Sequence, residues 1–128
     1  MHSFPIRVYY EDTDMAGIVY YANYLKYIER ARSDWVRDLG IDQNQMREAE
    51  GLVFAVRRVE ADYLMPAKFD DELQVTTSMG QVTGARLVLE QQVLRDGALL
   101  FSAQVTLVVI NAAGHAARLP ANIRRRVH

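Results

Sequence analysis

Apolar and polar residues alternate from Ile6 to Tyr10, the two-residue period of a strand whose faces meet different surroundings. A polar cluster, Glu11, Asp12, Thr13 and Asp14, follows it, and Gly17 permits a tight turn. The period then changes. Tyr20, Tyr24, Tyr27, Ile28, Ala31, Trp35 and Leu39 recur at three- and four-residue intervals, one face of a helix, with Lys26, Arg30, Arg37 and Asp38 elsewhere on the wheel. Gly40 is a natural stop, so the pattern predicts one long helix of roughly 18 to 20 residues spanning about 30 Å. Its start is open, because the apolar pattern begins at Tyr20 whereas Asn23 is the best N-cap residue nearby. Asp42 to Glu50 suits a short second helix.

Beyond Gly51 the period returns to two. Val53, Ala55, Val59, Ala61 and Tyr63 share one strand face, and Leu99, Phe101, Ala103, Val105, Leu107 and Val109 share another. Leu73 to Val82 and Ala85 to Leu94 form two strands between them, separated by Thr83-Gly84 and followed by Asp96-Gly97, a strong hairpin signal. The order is strand, helix, then four antiparallel strands, an α+β arrangement in which a sheet of about five strands curls around the helix. The tail after Pro120, with Arg124, Arg125 and Arg126, reads as solvated chain, and neither repeats nor low-complexity segments occur. A chain of 128 residues, half of them hydrophobic, suits one domain spanning 1–128 and is too short for two.

Charge and composition remove several functions. With 15 basic and 16 acidic residues the chain lacks the positive excess that a nucleic-acid partner demands. The absence of cysteine excludes a disulfide framework, a thiolate zinc site and a thiol nucleophile, and fits a reducing compartment. No run approaches the ~18 apolar residues of a membrane span and no secretory pattern opens the chain, so a cytoplasmic location without membrane insertion is the expectation. His2, His115 and His128 are scattered without metal-ligand spacing, which predicts no metal site. Ser3, Ser33, Ser78 and Ser102 lack a nucleophile-elbow context, and Gly80 with Gly84 lacks the lysine of a phosphate loop. No cofactor is implied.

The chemistry left concentrates just before the long helix. A carboxylate at Asp14, three residues ahead of Gly17, would stand close to the unpaired N–H groups and positive dipole end of the helix, which can hold a developing oxyanion while the carboxylate acts as base or nucleophile. The plainer alternative makes Asp14 and Gly17 turn residues, with Glu11 and Asp12 as solvated charges. Tyr9, Tyr10, Tyr20, Tyr21, Tyr24 and Tyr27 likewise suit either a core or a substrate-lining role.

Three stretches carry a resemblance: YYEDTDMAGIVYYANY (Tyr9 to Tyr24), YIERAR (Tyr27 to Arg32) and DYLMPAKFDDEL (Asp62 to Leu73). In order and separation they resemble the 4-hydroxybenzoyl-CoA thioesterase family, particularly its branch associated with Tol–Pal operons. The resemblance implies a hotdog fold, a long helix wrapped by a curved antiparallel sheet. It also implies homodimers with continuous sheets and interfacial active sites, assembling to homotetramers. Acyl-CoA would be the substrate, with acyl carrier protein as the alternative carrier. By position, Asp14 matches the essential aspartate, the Tyr21 backbone N–H matches the donor that polarises the thioester carbonyl, and Gly17 shapes the turn between them. Glu29 matches a residue that lines the acyl pocket, the alternative being an ion pair with Arg57 or Arg58; Tyr10 is a secondary candidate for orienting Asp14. Charges such as Arg124 to Arg126 would suit the 3′-phosphate of coenzyme A. Many relatives carry histidine at Tyr21, so a backbone role survives here and a histidine role does not. Rivals are a non-catalytic acyl-CoA-binding protein, and a hydratase, whose usual acid–histidine pair is absent around this motif.

Overall fold

In the computed structural model, which describes residues 1–127, the elements run β1 (His2–Arg7), α1 (Asn23–Asp38), α2 (Gln43–Glu50), β2 (Val53–Tyr63), β3 (Glu72–Val82), β4 (Arg86–Arg95), β5 (Ala98–Ile110), β6 (Ala116–Ala117) and α3 (Ala121–Val127). The sheet order is β1-β3-β4-β5-β2, antiparallel throughout, with β6 added to β5. Among the described residues six strands therefore stand where about five were expected. The α1 face buries Tyr24, Tyr27, Ile28, Ala31, Trp35 and Val36. Against it lie the inward residues of the central strands, among them Leu73 and Val75, Leu87 and Leu89, and Phe101 and Val105. Each such fully buried side chain contributes about 1.5–3 kcal/mol, so this single contact layer dominates the stability.

Two polar side chains, Thr77 and Gln91, are buried inside that layer. Gln91 is fully buried, donates from Nε2 to the Ile28 carbonyl (3.0 Å) and Thr77 Oγ1 (2.9 Å), and accepts from Arg32 Nη1 at 3.0 Å. Burial pulls the Arg32 pKa below its ordinary value, with the Glu29 charge opposing the shift. At the sheet edge, His2 Nε2 lies 2.9 Å from Asp34 Oδ2 and 3.3 Å from Asp38 Oδ2, tying β1 to α1.

Several boundaries differ from the sequence pattern, each for a local reason. The first strand is His2–Arg7 rather than Ile6 to Tyr10: its register on β3 runs from His2↔Thr77 to Arg7↔Glu72, after which Tyr10–Asp12 close into a 3-10 turn. The long helix has 16 residues and starts at Asn23. Tyr20 stays outside because its N–H donates to the Asp12 carbonyl, and the Asn23 side chain acts as a donor to that same carbonyl instead of capping the helix. In β2 the pairing with β5 slips between Val56 and Arg58, leaving Arg57 as an extra, bulged residue. Phe54 and Val56 therefore share the inner face with Val59, Ala61 and Tyr63, while Val53 and Ala55 lie on the other face. A second slip in β5 makes Leu100, not Leu99, the buried partner of Phe101. The expected solvated tail is instead α3, which buries Ile123 and Val127 and sends Arg126 Nη1 to the Leu39 carbonyl at the end of α1 (3.0 Å).

The Gln91 cluster yields a stability prediction. Gln91→Leu removes the acceptor of a half-buried cation and one donor of the Ile28 carbonyl, and should lower the unfolding free energy by about 2–4 kcal/mol. Urea denaturation measures this, and a loss below about 1 kcal/mol would show that the network is not coupled to folding.

Candidate active site

The segment after the 3-10 turn doubles back on itself. Thr13 bridges Val19, the Asp14 N–H donates to the Ile18 carbonyl (2.9 Å), and the Gly17 N–H donates to the Asp14 carbonyl (3.0 Å). Gly17 has φ +77°, in the region where a Cβ is disfavoured. The Asp14 carboxylate takes part in the turn, since Oδ1 accepts the Ala16 N–H at 2.9 Å. Its other oxygen has no hydrogen-bond partner among the described residues, and Asp14 is exposed. One oxygen of Asp14 thus serves the turn, as the plainer sequence reading has it, and the other is left without a partner among the described residues.

The turn is pinned on both sides. Val19 N–H donates to the Ala67 carbonyl (2.8 Å), and Ile18 bridges Lys68. On the helix side the Asp12 carbonyl accepts from the Tyr20 N–H (2.9 Å) and from Asn23 Nδ2 (2.8 Å), while the Asp12 carboxylate accepts from the Tyr9 N–H (2.9 Å). The Tyr27 hydroxyl, buried beneath this clasp, is held protonated by burial and by the Asp12 charge. At the helix entrance the N–H groups of Tyr21 and Ala22 donate to nothing among the described residues, whereas Asn23 and Tyr24 N–H turn back to the Tyr20 and Tyr21 carbonyls.

Asp14 and this entrance share a cleft of about 380 Å³, closed by Ile18, Tyr24, Tyr63 and the stretch Leu64–Pro66. Its aromatic wall is rigidly packed: Tyr24 stacks on Phe101 at 5.1 Å between ring centres, and Tyr63 meets both edge-on at 5.4 and 5.0 Å. The Tyr24 hydroxyl accepts the Ala67 N–H (3.0 Å), and the Leu100 carbonyl accepts the N–H groups of Leu64 and Met65 (2.9 and 3.1 Å), fixing the opposite lip. Burial raises the pKa of both Tyr24 and Tyr63, so both phenols remain neutral. The cleft offers one free carboxylate oxygen, the unsatisfied Tyr21 N–H at a helix entrance, and an apolar wall, with the Ala22 N–H open on the adjoining residue. It suits polarisation and attack of a carbonyl.

Other candidates fall elsewhere. Glu29 accepts from Ser33 Oγ (3.2 Å) and borders a separate cavity of about 190 Å³ with Arg32 and Phe54, not the Asp14 cleft of the same chain. It forms no ion pair with Arg57 or Arg58 among the described residues; Arg58 pairs with Glu60 at 3.1 Å. Tyr10 is 80% exposed and packs edge-on to Phe69 at 6.2 Å, away from the cleft, while its carbonyl accepts the Thr13 N–H and hydroxyl. Sequence reasoning gave no site role to Tyr63, Leu64, Met65 or Pro66; their only signal is the DYLMP stretch, and the pairing of Tyr63 with β5 and the bonds of Leu64 and Met65 to the Leu100 carbonyl, not local pattern, bring them to the cleft.

The histidines are also dispersed by the fold, with His128 outside the described residues. His2, Asp34 and Asp38 do converge, within 4.8 Å of one another, an i, i+4 pair meeting a strand end that spacing did not reveal. A metal-bound imidazole normally donates its other ring proton to an acceptor. The His2 Nδ1 is buried without one among the described residues, so the cluster fits a hydrogen-bonded clamp. No helix among the described residues is long and apolar enough to cross a membrane.

Because a Cβ at Gly17 would meet nothing within 4 Å, the cost of substitution there is conformational alone. Gly17→Ala should destabilise the protein by about 1–2 kcal/mol and Gly17→Asn by less, since asparagine tolerates this backbone region. Chemical denaturation of the pair checks the ranking; equal losses would refute it.

Comparison with known proteins bears on this geometry. The family profile described as the thioesterase-like superfamily matches residues 8–127. The acyl-CoA thioesterase YbgC of Haemophilus influenzae is 42% identical over 109 residues, covering 85% of this chain and 80% of that protein. The 1,4-dihydroxy-2-naphthoyl-CoA hydrolase of Thermosynechococcus vestitus is 30% identical over 102 residues, covering 76% and 70%. Among solved structures, a probable thioesterase from Bartonella henselae aligns with a TM-score of 0.89 at 39% identity over 93% of this chain and 98% of that one.

Proposed function

This chain belongs to the thioesterase-like superfamily, with its hotdog fold, and we propose that it hydrolyses acyl-CoA thioesters with Asp14 as the catalytic carboxylate and the Tyr21 N–H as oxyanion donor. The observation that carries this reading is the meeting, in one cleft, of a carboxylate with a free oxygen and a helix entrance where the Tyr21 N–H is unsatisfied. The thioester carbonyl oxygen docks at the Tyr21 N–H, where the helix dipole favours the charge that develops on it. Such a donor contributes about 3 kcal/mol at the transition state, a factor of 10² to 10³. The free Asp14 oxygen then follows one of two routes. It bonds to the carbonyl carbon while the C–S bond breaks, giving an anhydride that water cleaves, or it takes a proton from the water that attacks. Both release the acid and coenzyme A, and isotope label passing from water through Asp14 in a single turnover separates them. A coenzyme A thioester is an intracellular substrate, which supports a cytoplasmic location.

The reading includes a second copy of the chain. β2 ends the sheet order, and on its inner face Val56, Val59 and Tyr63 remain 47%, 38% and 47% exposed, continuous with exposed Leu64 and Met65. An open edge of this kind is a template for another strand. A homodimer joined along β2 would cover it and place the Asp14 clefts at the interface, and pairing of two dimers would give the homotetramer. Light scattering should return two or four times 14.6 kDa. Val59→Asp should shift the population to monomers with loss of activity; a wild-type monomer that is fully active would overturn the assembly.

Thiol release from a panel of aromatic and aliphatic acyl-CoAs tests the chemistry. Asp14→Asn should lower kcat by about 10²- to 10⁴-fold with binding of a non-hydrolysable thioether analogue retained. Equal activity in the two proteins would sink the assignment, and binding without hydrolysis in both would favour an acyl-CoA-binding protein.

A further inference from the structure

We propose that Tyr63 is a positioning residue for thioester cleavage: its hydroxyl, donating to the Tyr21 carbonyl at 3.1 Å, polarises the Tyr21–Ala22 peptide and makes the Ala22 N–H a second oxyanion donor. The proposal rests on the reading of Asp14 and Tyr21 given above and adds to it a residue brought in from β2.

The two ends of this peptide unit are treated differently by the fold. Its carbonyl accepts from the Tyr63 hydroxyl and, at 3.3 Å, from the Tyr24 N–H. Its N–H belongs to Ala22 and has no acceptor among the described residues. A hydrogen bond to the oxygen of an amide draws electron density toward that oxygen and leaves the N–H a stronger donor. The neighbouring unit repeats the arrangement, since the Tyr20 carbonyl accepts the Asn23 N–H at 2.8 Å while the Tyr21 N–H is free. Two successive N–H groups are thus left open at the helix entrance, the first on Tyr21, which lines the cleft with Asp14, and the second on the next residue, each on an amide anchored through its carbonyl. In the second unit the anchor includes a side chain from elsewhere in the chain.

That side chain is well placed for the task. Tyr63 ends β2 opposite Phe101 in the register, and its ring is held edge-on by Phe101, Tyr24 and Tyr21 at 5.0, 5.4 and 6.2 Å. Desolvation, with smaller effects from Tyr21 and Tyr24, raises its pKa, so the hydroxyl keeps its proton and remains a donor. The ring also lines the cleft. Tyr63→Phe therefore separates two duties, leaving the wall intact and removing only the hydroxyl.

The expected result for Tyr63→Phe is a fall in kcat of about 3- to 30-fold, the scale of one neutral hydrogen bond acting through an amide, with KM nearly unchanged. Melting temperature and the stoichiometry of thioether-analogue binding should match the wild type, which excludes a loss of folded protein. The infrared carbonyl band of an acyl-CoA bound to Asp14→Asn reports polarisation directly. In the Asp14→Asn/Tyr63→Phe protein it should move to higher frequency, and a purely structural role would leave it in place. Wild-type kcat in Tyr63→Phe, or a kcat loss without a band shift, overturns the proposal while leaving Asp14 untouched. Full activity in Asp14→Asn overturns the underlying reading, and this proposal with it.

Discussion

A single backbone oxygen joins the two halves of the site. The Asp12 carbonyl receives the Tyr20 N–H and the Asn23 amide, so the strand-to-turn segment and the first residue of α1 are fixed to the same atom. Everything the cleft offers depends on this junction. It sets how far the Asp14 turn stands from the helix entrance, and by taking up the Asn23 side chain as a donor it leaves the entrance without a side-chain cap. The first helical N–H groups are satisfied by backbone instead, Tyr24 N–H by the Tyr21 carbonyl and Leu25 N–H by the Ala22 carbonyl.

The junction holds its position because α1 cannot move. Its apolar face is pressed into the inner face of the sheet, and Gln91 pins the helix backbone from below through the Ile28 carbonyl. From the other direction, the lip of the cleft is carried by the loop after β2, bonded to Leu100 and to Tyr24. Helix, turn and lip are thus three separate stretches of chain referred to one core, which is the usual way a precise site is built from loops of modest intrinsic order.

Much of this was legible in the sequence because it depends on local chemistry. The apolar face of α1, its end at Gly40, the spans of β3 and β4 and the Asp96-Gly97 hairpin follow from periodicity and turn residues alone. The Asp14–Gly17 turn was visible too, as a carboxylate ahead of a glycine that needs positive φ. What escaped is what distant partners decide. Asn23 looks like a cap by composition and becomes a donor only because Asp12 folds back to meet it. His2 meets Asp34 and Asp38 only once β1 docks beside α1. The three arginines near the C-terminus mask the short apolar pair Ile123 and Val127, which means nothing until α1 ends beside it. Tyr63 shows locally only as a strand residue at the start of the DYLMP stretch, since its place in the cleft is fixed by pairing with β5.

The bulge at Arg57 has a broader meaning. A strand presents its side chains in two alternating sets, and one extra residue exchanges them, as an inserted nucleotide shifts a reading frame. Upstream of Arg57 the inner set is even-numbered, through Phe54 and Val56; downstream it is odd-numbered, through Val59, Ala61 and Tyr63. Both ends of β2 face the core only because the frame changes between them. The length of this strand is therefore not a free variable in the history of the protein: loss of one residue at the bulge, far from the cleft and exposed to solvent, would turn the Tyr63 ring outward or force the pairing with β5 to slide.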